Sequence, residues 1–130
     1  MEEKIHKGVA KEHFKIAEEY DKKFREDEEN KKINRIVAAQ NYFYSAINAI
    51  ETIFARELKQ HSFNHENRYR KVFENRNLFS DEIRGLFEAV DRDERNKVAY
   101  KGENGKMYEN IKKLAKLLID LIWKLSLKVH

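Results

Sequence analysis

Asn41, Tyr44, Asn48 and Glu51 stand at i, i+3, i+7 and i+10. On a helix, at about 100° per residue, they share an arc of roughly 80° and form one polar stripe. The stripe sits at the shoulder of an apolar face, and amides and carboxylates at such a shoulder need partners. Arg95 and Asn96 are suited to supply them. A guanidinium can pair with Glu51 and still present donors to a phosphate. Tyr44, Asn48, Glu51 and Arg95 are therefore candidate ligand-binding residues. The competing explanation is a structural polar cluster that sets helix register, the usual fate of buried polar groups.

Other chemistry is thinner. His61 and His65 are spaced i, i+4, a spacing that on one helix could grip a metal. Ser62 and Asn64 between them read as a helix break, and no acidic third ligand has a diagnostic spacing, so no metal site is expected. His13 falls on an apolar stripe as a core-edge residue, and His6 and His130 lie near the termini. The glycines at 8, 85, 102 and 105 match no Walker loop, dinucleotide fingerprint or nucleophile elbow, and no cofactor is called for. The segment HENRYRKVFENR sets Arg68, Arg70, Lys71 and Arg76 around Tyr69 and Phe73. Such a helix could lie along RNA. Its aromatic residues have core spacing, which favours a solvated basic face over a buried stripe.

The elements that must position these residues are all helical. Val9, His13, Phe14, Ala17, Tyr20 and Phe24 predict a helix over 5–25. Ile33, Ile36, Gln40, Phe43, Ile47, Ile50, Phe54 and Leu58 predict a second over 31–59. Ser62 or Asn64 caps a short third over 65–76. Ser80 caps a fourth, with Asp81 and Glu82 in its first turn and Ile83, Leu86, Phe87, Val90 and Val98 on its stripe. The fifth covers 106–128. Leu117, Leu118, Ile119, Leu121, Ile122, Trp123, Leu125 and Leu127 leave it little polar face, so it is either the central helix or partly covered by another subunit. The expected fold is an all-α, five-helix, up-and-down bundle forming one domain over 1–130.

Composition limits the remaining choices. The 130 residues are 41% apolar and 38% charged, too apolar for disorder. The absence of cysteine excludes disulfides, thiolate metal sites and a cysteine nucleophile, and the absence of proline lets long helices run. The net charge of +4 is uneven: residues 1–30 carry 7 basic and 10 acidic side chains, residues 101–130 carry 7 and 3. An anionic partner would favour the later regions. The run LLIDLIWKLSL is too short to span a bilayer, and no signal peptide opens the chain, so a cytoplasmic protein without membrane contact is expected.

The segments NYFYSAINAIETIF (41–54) and RNKVAYKG (95–102) resemble the HEPN family of small helical domains, over about residues 31–125. That resemblance implies a HEPN-like bundle, a homodimer, and a role in RNA or nucleotide handling. It also implies a toxin-antitoxin or defence pairing with a minimal nucleotidyltransferase. The family motif has Arg, a polar residue and a later His; Arg95 and Asn96 match the first two, and Tyr100 stands where the His would be. Arg95, Asn96 and Tyr100 are thus the candidate catalytic residues. Histidine shuttles protons near neutrality, whereas tyrosine is a poor base there. Some members also carry a modified Tyr two residues after the His; Gly102 stands there. Binding of RNA or a nucleotide is therefore expected over turnover. The alternatives are an active metal-independent endoribonuclease, with Tyr100 or a histidine from elsewhere as the acid-base group, and a structural dimerisation module without ligand.

Overall fold

A computed structural model describes the backbone of residues 2–95 and 105–127, with side chains over 3–92 and 106–127. It shows five helices and, among the described residues, no strand: α1 (Glu2–Glu26), α2 (Lys31–Ile53), α3 (His65–Glu74), α4 (Asp81–Arg95) and α5 (Gly105–Ser126). The all-α bundle follows from helical periodicity uninterrupted by proline. No described helix is long and apolar enough to cross a membrane.

The helix ends follow local chemistry. Asp27 accepts the amides of Glu29 at 3.0 Å and Asn30 at 3.3 Å, which folds the acidic turn between α1 and α2. Asn64 caps α3 by accepting the Asn67 amide at 2.7 Å. Ser80 caps α4 through the Ile83 amide at 3.2 Å. α2 does not stop cleanly. It widens into a π turn, Phe54–Leu58, and ends at Lys59 in the left-handed region, φ 55°. A π turn moves the residues beyond it relative to a regular helix, and such turns often accompany functional sites.

α2 is the central element. The apolar stripe expected on it was built from its large residues. The buried face is instead centred on Ala39, Tyr42, Ala46, Ala49 and Ile53, turned by roughly 100°. Ile33, expected in the core, is 61% exposed. The physical reason is close helix approach. Ala10 and Ala17 of α1 and Ala38, Ala46 and Ala49 of α2 are all buried, and Ser45 Oγ donates to the Ala10 carbonyl at 2.8 Å. Small residues let the two backbones come together, so alanines of modest hydropathy mark the contact.

α5 is not buried all round. Ile111, Leu114, Ala115, Leu118, Ile122 and Leu125 face the core, while Trp123 is 57% and Leu127 62% exposed. Lys11 lies over the Trp123 ring, 5.9 Å from its centroid. The other end of the α1–α5 contact is polar. Buried Asp21 accepts from the Tyr108 hydroxyl, from Arg25 at 3.1 Å and from Lys112 at 3.2 Å. Burial pushes the Asp21 pKa up, but these three donors outweigh it and hold the carboxyl below its usual range. Burial and the neighbouring carboxylate push the Tyr108 hydroxyl far above the usual tyrosine value.

Candidate functional site

The polar stripe of α2 is present, and its partners come from elements far away in sequence. α1 lies along one edge of it. His13 Nδ1 meets Asn41 Oδ1 at 2.9 Å, and His6 Nδ1 meets Asn48 Oδ1 at 3.1 Å. Each amide also donates one turn back along α2, Asn41 to the Val37 carbonyl and Asn48 to the Tyr44 carbonyl, both at 2.9 Å. With its amide group anchored to the helix, each side chain turns its oxygen toward a histidine. His6 and His13 are seven residues apart, two turns of α1, and so face α2 together.

Glu51 closes the stripe at the π turn. It is 5% exposed. The Ser62 amide donates to Oε1 at 3.0 Å, the Ser62 hydroxyl donates to Oε2, and Arg68 Nε donates to Oε2 at 3.0 Å. His61 Nδ1 is 3.7 Å from Oε1. Burial raises the Glu51 pKa, but the Ser62 donors and the Arg68 guanidinium outweigh it and hold the carboxyl low. Glu51 is thus an ionised anchor for the 59–64 connection. Lys71 adds a second tether by donating to the His61 carbonyl at 2.9 Å. The His6 and His61 rings are 5.2 Å apart, which joins the two halves of the stripe.

Tyr44 is 46% exposed, with the His13 ring 5.6 Å away. Phe63, next to Ser62, is 79% exposed. The face therefore combines two open aromatic rings, two amides, three imidazoles and a carboxylate–guanidinium pair. Such a set can stack a planar group, hydrogen-bond its edge and meet an anion.

Tyr44, Asn48 and Glu51 belong to this one face. The expected pairing of Glu51 with Arg95 falls on a side chain outside the described residues; the backbone of Arg95 ends α4. Asn96, Tyr100 and Gly102 also lie outside them, as does Val98. Ser62, Arg68, His6 and His61 were not assigned to the stripe from sequence. The i, i+7 spacing of His6 and His13 carried the only signal. His61 approaches Glu51, while His65 Nε2 contacts the buried Asp91 carboxylate. His61 precedes α3 and His65 opens it, the break that Ser62 and Asn64 indicated.

The basic helix α3 turns much of its charge inward. Arg68 and Lys71 hold the connection to α2, and Lys71 also lies 5.5 Å from the Phe54 ring centroid. Tyr69 stacks on Phe73 at 4.6 Å and packs against Phe87. Arg70 and Arg76 remain exposed. The aromatic pair of α3 is thus half-buried beneath a partly solvated basic face. Comparison with protein-family models, with curated proteins and with solved structures finds no match to this chain.

Proposed function

We propose that this protein is a cytoplasmic RNA- or nucleotide-binding helical module of HEPN type. The observation that carries the reading is the exposed Tyr44 ring set beside the His13–Asn41 and His6–Asn48 pairs. A base stacks on Tyr44, the amides and imidazoles meet its edge and sugar, and phosphate is drawn to the cations around the face. The motif residue Arg95 is the expected phosphate contact in this reading. In this reading the protein works as a homodimer and pairs with a minimal nucleotidyltransferase in a toxin-antitoxin or defence system. Base stacking on one aromatic ring contributes about 1–3 kcal/mol. Tyr44→Ala should therefore weaken binding of a labelled RNA oligonucleotide about tenfold or more. Arg95→Ala should weaken it and reduce its salt dependence, since phosphate contacts release counterions. Absence of RNA and nucleotide binding at low salt would remove this reading and leave a structural bundle.

The gathered imidazoles favour a second reading, a metal-independent endoribonuclease. The fold brings His6, His13 and His61 to the α2 stripe, so a histidine from outside the motif can replace the one that Tyr100 displaces. Robust RNA cleavage in a chelating buffer, abolished by Arg95→Ala, would favour it over simple binding.

A further inference from the structure

A cavity of about 450 Å³ opens where the α3–α4 connection meets α4 and α5. None of its lining residues comes from α1 or α2, so it is separate from the polar stripe. Its floor is apolar. Ile83 of α4 is 6% exposed, and Leu78, Leu117 and Leu121 pack on the core while staying partly open. Its rim is charged. Arg76 stands on the connection, Asp120 and Lys124 stand one turn apart on α5, and all three are exposed. Among the described residues none forms an ion pair with them. The walls are held by the chain itself. The amides of Leu78 and Phe79 both donate to the Asn75 carbonyl at 3.0 Å, and the Asn75 side chain donates to the Lys71 carbonyl at 2.7 Å. The Phe79 ring is fully buried and meets Phe54 edge to face, 6.0 Å between centroids. The connection that carries Arg76 is therefore pre-organised, which lowers the cost of binding.

We propose that this cavity binds a free amino acid with a large apolar side chain. Such binding does not depend on whether the α2 stripe takes RNA. Small-molecule sites enclose about 300–1,000 Å³, with an apolar lining and a few polar groups that fix orientation. Here an aliphatic or aromatic side chain covers Ile83 and the three leucines and removes their remaining apolar surface from water. The two cations of the rim call for an anion, and a carboxylate can accept two parallel hydrogen bonds from the Arg76 guanidinium. Asp120 beside them repels a ligand that carries only negative charge and calls for a cation on the same molecule. A zwitterion meets both demands. Its carboxylate faces Arg76 and Lys124, and its ammonium faces Asp120. A fatty acid or a phosphate meets only the first demand. Glycine meets both at the rim and leaves the floor uncovered.

The test titrates the full chain with phenylalanine and follows backbone amide shifts by NMR. Phenylpropionate lacks the ammonium, phenethylamine lacks the carboxylate and glycine lacks the side chain, so the three probes remove one demand each. Phenylalanine should bind saturably with a Kd near about 1 mM, as expected of so small a ligand. Its shifts should centre on residues 76–83 and 117–124, the walls of the cavity. Phenylpropionate and phenethylamine should each bind about threefold to fivefold more weakly, the range of a solvent-exposed ion pair, and glycine should not saturate. Arg76→Gln and Asp120→Asn should each weaken phenylalanine by a similar factor. Both positions are exposed, so the melting temperature should stay unchanged and the loss can be assigned to the site. The proposal is overturned if phenylalanine gives no saturable shift at about ten times that Kd, or if its shifts fall on α1 and α2. It is also overturned if phenylpropionate binds as tightly as phenylalanine, or if neither variant changes the Kd.

Discussion

Neutralising Glu51 is the sharpest test of how the face is held together. Glu51→Gln keeps the shape but leaves one acceptor oxygen where the carboxylate offers two to Ser62 and Arg68. At least one donor then faces an amide NH2. Hydrogen bonds to a charged group contribute about 1.5–3 kcal/mol each, and a buried donor left without an acceptor costs about 1–3 kcal/mol. The Arg68 side chain is 20% exposed, so water recovers part of its loss. We expect Glu51→Gln to cost about 2 kcal/mol and Glu51→Ala about 3 kcal/mol, a large share of the roughly 5–15 kcal/mol that stabilises a domain. Urea unfolding reads this directly: with a slope of about 2 kcal/mol/M, the Glu51→Gln midpoint should fall by about 1 M. A double-mutant cycle with Arg68→Ala should show a coupling of about 1–2 kcal/mol. The folded-state pKa of Glu51 is depressed, so its contribution is present above the unfolded value near 4 and is lost as pH falls through the folded value. The gap between wild type and Glu51→Gln should therefore close under acid. A cost below about 0.5 kcal/mol at neutral pH, unchanged in acid, would refute the view of Glu51 as an ionised anchor.

The Asp21 cluster makes a prediction at both ends of the pH scale. The raised Tyr108 pKa contributes stability that is complete below the unfolded tyrosine value near 10 and is lost above it, whereas the Asp21 contribution is lost below about 4; Tyr108→Phe should cost about 1–3 kcal/mol at pH 7 and flatten the alkaline limb of a thermal-stability profile. Lys59 holds a left-handed backbone at φ 55°, so Lys59→Gly should raise urea stability by about 0.5–1 kcal/mol, the relief of the Cβ clash less the added chain entropy. Gly85 lies inside α4 with nothing within 4 Å of a Cβ added there, so Gly85→Ala should stabilise by about 0.5–1 kcal/mol in the same assay.

The helices themselves were legible in the sequence. Apolar spacing near 3.6 residues, the acidic Asp27–Asn30 turn, the Asn64 and Ser80 caps and the lack of proline are local features, and local backbone energetics act on them without knowledge of the fold. The stripe of Asn41, Tyr44, Asn48 and Glu51 was legible for the same reason, because one helix repeats by a constant angle. Its partners were not. Whether Glu51 meets Ser62 and Arg68, or Asn48 meets His6, depends on where the π turn ends and how closely α1 approaches α2. Neither leaves a periodic mark. The rotation of the α2 core face shows the difference most plainly. Hydropathy ranks Ile33 above Ala46, yet helix packing buries Ala46 and exposes Ile33, because a small side chain lets a neighbouring backbone in. The sequence alone settled which residues are helical and which of them share a helix side. Only the tertiary structure decided which side is core, and it set His65 against Asp91 by packing α3 on α4, a contact between residues 26 positions apart in the chain.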